Sequence, residues 1–425
     1  MIIHVVKSGE TYSGIAAEYN IPLQNFLADN GLTPESRAVV GMAVVISEPD
    51  ITHTVAAGET LVGIANNYGT DVKTLYRNNY FLRGNPNISP GQVLFITLRE
   101  TKGKAFETNG YAYPFISMAL LREQLPYMTY QTPFTYGISQ NGNLVQLSGD
   151  IPMISEADRL GVRSLMHLST LTESGSFSSD RATLIFQNSS LQEQLLNEII
   201  ANMQNKGYSG LDVDFEFIDP AERYEYVAFL ENAFRRVNPL GYPLFSALAP
   251  KTSDTQPGTL YEGHDYGAIG GAVDKVLLMT YEWGYTYSSP QAVAPINSVE
   301  RVVRYGVSRI PTSKILMGIP TYGYDWLLPY EKGVTRADSL SPVAAVRLAE
   351  RYNAEINYDE TAQTPWFRYR TPEGEFHEIW FEDARSISAK LALAARYNLS
   401  GLGYWSLDRQ FPQNLVLLNA RYSII

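Results

Sequence analysis

From residue 105 onward, strand-like apolar runs alternate with helical stretches, and that rhythm confines the chain to an α/β architecture built around a largely parallel sheet. Eight runs read as strands: 110–115, 134–138, 162–168, 210–217, 243–248, 273–281, 315–320 and 401–405. Helical patterns such as Gln192 to Met203, Tyr224 to Val237 and Ser298 to Tyr305 separate most of them. Eight βα units in succession predict a (β/α)8 TIM barrel, with chemistry at the C-terminal ends of the strands. One gap, between the seventh and eighth strands, is too long for a single helix. There Ser341 to Tyr352 reads as a helix, and Trp366 to Arg370 with Glu378 to Phe381 as a hairpin around Pro372-Glu373-Gly374. A small α+β insertion, about 327–385, is therefore expected to wall one side of the cleft.

The fourth of these runs carries the chemistry. In Gly210-Leu211-Asp212-Val213-Asp214-Phe215-Glu216-Phe217, the period-two alternation of a strand puts Leu211, Val213, Phe215 and Phe217 on one side and three acids on the other. Successive acids then lie only about 7 Å apart, at roughly 3.3 Å rise per residue. Like charges held that close in a partly desolvated place push at least one carboxyl toward its protonated form. Asp219-Pro220-Ala221-Glu222 follows as a helix start, so Glu216 is expected near the C-terminal end of its strand.

Composition fits a large globular enzyme. The 425 residues, 45% of them hydrophobic, suffice for a full core and two or three domains. With no cysteine there is neither disulfide nor thiolate chemistry. A formal charge of −11 argues against a nucleic-acid partner bound by charge. No apolar run is long enough for a membrane helix, and Met1-Ile2-Ile3-His4-Val5-Val6 leads into folded-looking sequence without the features of a secretion signal. The five histidines lack metal-ligand spacing, so neither metal nor cofactor is expected. His167 reads as a hydrogen-bonded core histidine.

The first hundred residues contain a repeat. Gly9-Glu10-Thr11 recurs as Gly58-Glu59-Thr60, Gly14-Ile15-Ala16 as Gly63-Ile64-Ala65, Tyr19 as Tyr68 and Asn30 as Asn79. Each unit reads as strand, helix, helix, strand, giving modules at 1–48 and 49–98, with Arg99 to Lys104 as a linker to a barrel at 105–425. The repeated pattern resembles the LysM module, which implies binding to glycans containing N-acetylglucosamine, such as peptidoglycan or chitin. The resemblance places the ligand groove near Gly9, Thr11 and Asn30 in the first module and Gly58, Thr60 and Asn79 in the second. Thr11 and Thr60 by themselves read better as helix caps than as ligand contacts.

Ser209 to Glu216 on the fourth strand resembles the D-G-x-D-x-D-x-E signature of glycoside hydrolase family 18. Met279-Thr280-Tyr281-Glu282 on the sixth resembles the family's M-x-Y-D/N element, and Gly403-Tyr404-Trp405 on the eighth its tryptophan floor. Ser209 stands where the outermost Asp is usual, and Glu282 is a methylene longer than the usual Asp or Asn. The resemblance implies substrate-assisted retaining hydrolysis, in which the substrate's own acetamido group is the nucleophile. Glu216 would be the acid and base, with Asp214, Asp212 and Tyr281 holding the acetamido group. Trp405 would stack under the sugar, with Glu282, Met279 and Tyr111 lining the site.

Two LysM-like modules before such a barrel resemble the spore cortex-lytic enzymes of endospore-forming bacteria. That likeness implies an N-acetylglucosaminidase acting on cortex peptidoglycan, on fragments carrying muramic-δ-lactam, during germination. It also implies location in the spore without a classical signal peptide, and no membrane partner; a monomer is expected. A chitinase shares every catalytic residue and is the alternative within the class. A non-catalytic, lectin-like peptidoglycan-binding barrel is the alternative outside it.

Overall fold

The computed structural model describes all residues, 1–425. Eight parallel strands form the centre: β1 (Ala105–Ala112), β2 (Tyr130–Pro133), β3 (Arg163–Leu171), β4 (Gly210–Asp214), β5 (Leu244–Leu248), β6 (Lys275–Leu278), β7 (Ile315–Pro320) and β8 (Gly401–Trp405). Each pairs with the next, and β8 pairs with β1, so the barrel closes and leaves no free edge.

Four strands depart from the sequence reading. The first runs Ala105–Ala112 rather than 110–115, and the sixth ends at Leu278, so that Met279 to Tyr281 lie just beyond it. The second barrel strand is Tyr130–Pro133, earlier than expected, whereas Tyr136–Ile138 forms a hairpin with Leu144–Val145 and extends β3. The second barrel strand lacks an apolar alternation because Gln131 and Thr132, on opposite faces of it, are both buried and hydrogen-bonded, reaching Ser164 Oγ at 3.0 Å and Asn109 Oδ1 at 2.8 Å. β4 ends at Asp214 rather than Phe217. Phe215 stays buried, stacked on Tyr226 and Phe229 of the following helix at 5.8 and 5.4 Å between centroids. Phe217, at φ +55°, turns outward and is half exposed.

The insertion is a five-stranded antiparallel sheet with the helix Pro342–Arg351. Its hairpin, Thr364–Arg370 with Phe376–Trp380, forms where the sequence places it. Its first strand, Gly323–Leu328, brings Tyr324 to the cleft.

Both N-terminal repeats fold as strand, helix, helix, strand. In each, the threonine hydroxyl accepts from the third helical N–H: Gly14 to Thr11 at 3.0 Å and Gly63 to Thr60 at 3.1 Å. Neither repeat hangs free. The apolar core of the first, including Ile15, Phe26 and Val44, is continuous with Ala345, Ile356 and Phe381 of the insertion. The second docks on the barrel flank through Tyr80, whose hydroxyl donates to Glu123 at 2.9 Å, and through Arg77, bonded to Pro126 O at 2.6 Å. The stretch expected to be a linker is likewise pinned: Arg99 N–H donates to Glu48 O at 2.9 Å and Gly103 N–H to Arg421 O at 2.7 Å. No helix is long and apolar enough to cross a membrane.

Candidate active site

The acids of β4 converge at the C-terminal mouth of the barrel. Asp212 is fully buried, Asp214 half-buried, and Glu216 lies in the loop just beyond the strand. A neutral histidine fixes that loop. His264 accepts the Ala249 N–H at its Nδ1 (3.0 Å) and donates from Nε2 to the carbonyl of Phe215 (2.9 Å). It thereby holds the backbone one residue before Glu216. Burial pulls the His264 pKa down, which keeps the ring neutral as those two bonds require.

Electrostatics separate the acids. Burial pushes Glu216 up to about 8, helped by the nearby charges of Asp214 and Glu282. It pushes Asp212 up to about 6, opposed by His167 and by a hydrogen bond from Tyr111. A carboxyl held protonated at neutral pH beside carboxylates is the equipment of a general acid. Glu282 is also raised by burial, but accepts from the hydroxyls of Tyr322 and, at 3.1 Å, Tyr324.

Tyr281 is buried against the barrel wall, its hydroxyl kept protonated by burial and then by the charge of Asp214. Its ring fits because Gly318 faces it: a Cβ there would lie 2.8 Å from Tyr281 Cε1. Trp405 is partly exposed, its indole fixed edge-on by Phe134 at 4.8 Å and flanked by Tyr111 and Tyr113, each at 5.9 Å. Asp214 and Glu216 face a recess of about 380 Å³ shared with Thr170, Phe177 and Asp180. Trp405 and Glu282 face another of about 350 Å³ with Phe115, Tyr324 and Arg409.

Several expected site residues do other work. Tyr111 is buried, and its hydroxyl donates to Asp212 Oδ2 at 2.8 Å, so it orients an acid rather than lining the cleft. Tyr111→Phe should therefore lower kcat about 10- to 100-fold with KM within twofold, checked by steady-state kinetics; a rise in KM alone would return Tyr111 to substrate contact. Met279 is buried in the barrel core. In the N-terminal modules, Asn30 and Asn79 are buried with their amides spent on backbone: Asn30 bonds Phe26 O (2.8 Å), Val45 O (2.9 Å) and Val45 N (2.7 Å), and Asn79 repeats the pattern. They tie the second helix to the closing strand and offer no group to a glycan. Gly9 and Gly58 are exposed turn glycines at φ +86° and +85°.

Sequence reading passed over His264, Asp408 and Arg409. Asp408 accepts the Tyr113 N–H at 3.2 Å, and Arg409 donates to Ser339 Oγ at 2.8 Å, linking the loop after β8 to the insertion. These residues lie in irregular segments, where no periodicity marks a direction.

The chain matches the glycosyl hydrolases of family 18 over residues 139–410 and the LysM domain over 4–47 and 53–97. It is 39% identical to the cortical fragment-lytic enzyme of Bacillus subtilis (strain 168), covering 100% of this chain and 99% of that protein. The crystal structure of the Bacillus cereus spore cortex-lytic enzyme SleL superposes with a TM-score of 0.85 at 34% identity, covering 100% of this chain and 98% of the other. A chitinase from Chromobacterium violaceum superposes at 0.67 with 25% identity, over 74% of this chain and 99% of its own.

Proposed function

The chain belongs to glycosyl hydrolase family 18, with two LysM domains ahead of its barrel, and we propose that it hydrolyses N-acetylglucosaminyl bonds in spore cortex peptidoglycan. The supporting observation is that its likeness to the cortex-lytic enzymes extends end to end, across both modules and the barrel, whereas the likeness to the chitinase leaves about a quarter of the chain unmatched. Its substrates in this reading are cortical fragments carrying muramic-δ-lactam, met in the spore during germination. The LysM domains bind the same glycan and hold the barrel against it.

Glu216, protonated below about pH 8, donates its proton to the glycosidic oxygen as that bond breaks. The acetamido carbonyl oxygen of the sugar bound over Trp405 attacks the anomeric carbon, closing an oxazolinium ring with retention to follow. Asp214, with Asp212 behind it, accepts the acetamido N–H as positive charge develops there, and the Tyr281 hydroxyl donates to the acetamido oxygen. Glu216, now a carboxylate, takes a proton from the water that opens the ring. Each residue then has returned to its starting state.

Mass spectrometry of products from purified cortex tests this. Muropeptides ending in reducing N-acetylglucosamine, absent with Glu216→Gln, are the expected result. Release of chitobiose from chitin but nothing from cortex would assign the chitinase reading instead, and binding without turnover on either would make the barrel a lectin.

A further inference from the structure

The wall behind Asp214 holds a group that the mechanism above leaves unused. His167, on β3, is fully buried and stands beside Asp212 in the β3–β4 ladder. Its Nδ1 lies 2.6 Å from Thr135 Oγ1, and its Nε2 lies 3.6 Å from Asp214 Oδ2 with no hydrogen-bond partner. Two more buried atoms beside it are unpartnered, Asp212 Oδ1 and Asp214 Oδ1. Unsatisfied polar atoms gathered in one buried place are costly unless protons join them.

The position of the proton follows from the partners. If the Thr135 hydroxyl donates to Nδ1, a neutral ring carries its hydrogen on Nε2. If Thr135 instead donates to Tyr136 O or Ser169 Oγ, each at 2.9 Å, then Nδ1 must be the donor to Thr135. A bare Nε2 would then face a carboxylate oxygen, lone pair against lone pair. The first arrangement avoids that contact, with the N–H on Nε2 aimed at Asp214.

We propose that His167 is a positioning residue for the hydrolysis: its Nε2–H holds Oδ2 of Asp214 from behind and leaves the other oxygen for the acetamido N–H of the substrate. This rests on the role given to Asp214 above. The remaining neighbours suit the task. Tyr111 packs edge-on against the ring at 5.7 Å with its hydroxyl committed to Asp212, and Phe134 covers the ring at 4.8 Å. The titratable groups facing His167 are therefore Asp212 and Asp214 from β4 and Tyr111 from β1, with Glu216 acting through Asp214.

The test uses the full-length protein with three variants, His167→Asn, His167→Gln and Glu216→Gln, assayed on cortical fragments across pH 4–9. Asn can keep the bond to Thr135 but cannot reach Asp214, whereas the Gln amide can present an N–H near the place of Nε2. The expected result is a fall in kcat of about 30-fold or more for His167→Asn with KM within twofold, and recovery to within about fivefold for His167→Gln. Equal activity in wild type and His167→Asn, or equal loss in both His167 variants at unchanged melting temperature, would overturn the proposal. Turnover by Glu216→Gln close to that of the wild type would instead overturn the reading of the site. Nitrogen-15 shifts of the wild-type histidines, with His167 assigned by its loss in the Gln variant, read the contact independently of turnover. A protonated Nε2 at pH 6–7 supports the proposal, and a bare Nε2 with the proton on Nδ1 overturns it.

Discussion

Glu216→Gln is expected to lower kcat at least 10³-fold while leaving the fold intact and making it more stable at alkaline pH. The amide keeps the shape of the side chain but has no acidic proton for the leaving oxygen, and general acid catalysis contributes about 10²–10⁴ in rate. Because the same residue serves as base in the second half-reaction, the loss should reach the upper part of that range. In the wild type the carboxyl is raised from 4.5 to about 8. Activity should therefore persist below pH 8 and fall as pH rises through it, and that limb should vanish from any residual activity of the variant. The stability effect has the opposite sense. A carboxyl raised on folding binds its proton more tightly in the native state, so its contribution is complete below the unfolded value near 4.5 and is lost as pH rises to about 8. Glutamine removes this dependence. Thermal melts of the two proteins should converge near pH 4 and separate by pH 8, with the variant more stable by on the order of 2 kcal/mol. A variant less stable than wild type at pH 8 would show that Glu216 is not held against its ionisation.

Gly41→Ala should cost about 3 kcal/mol or more and release the first LysM domain from the barrel, whereas its counterpart Gly91→Ala should cost only about 1–2 kcal/mol. Both glycines sit in the same turn of their repeats, at φ +82° and +87°, so the backbone strain of adding a Cβ is shared. Their surroundings differ. A Cβ on Gly91 meets nothing within 4 Å, while one on Gly41 would lie 1.9 Å from the carbonyl oxygen of Ile356 in the insertion. At that contact Ile356 N–H donates to Val40 O at 3.0 Å and Arg385 to Gly41 O at 3.2 Å, so the insertion cannot simply withdraw. Differential scanning calorimetry of the pair separates strain from docking, and small-angle scattering should show a larger radius of gyration for Gly41→Ala alone. Equal destabilisation of both would mean that the first module is attached no more firmly than by its own turn.

A rigid attachment changes what the modules contribute. Tethered by a flexible chain, a binding module raises local concentration without fixing direction. Docked through a continuous apolar core and pinned at residues 99–103, the first module has a set orientation relative to the cleft. A glycan held by it is presented to the barrel from one side.

Much of this was legible in the residues. The alternation at 210–216, the repeat of Gly-Glu-Thr and Gly-Ile-Ala, and the aromatic closing the eighth strand are local patterns, because strand period, helix capping and turn geometry depend on neighbours in sequence. They determined the barrel, the tandem modules and the placing of Asp212, Asp214, Glu216, Tyr281 and Trp405 at one mouth. Tertiary structure alone decided what depends on contacts between distant segments. Tyr111 and Asp212 are 101 residues apart, and only closure of the barrel turns that tyrosine from a cleft wall into a hydrogen-bond donor. Asn30 looked like a ligand contact until the strand at Ala43–Ile46 took up its amide. The second barrel strand escaped notice because its two central residues, Gln131 and Thr132, are polar and find their partners on neighbouring strands. His167 was a core histidine in the sequence and became the neighbour of Asp214 only when β3 and β4 paired, since a side chain's chemistry is set by what packs against it rather than by what precedes it.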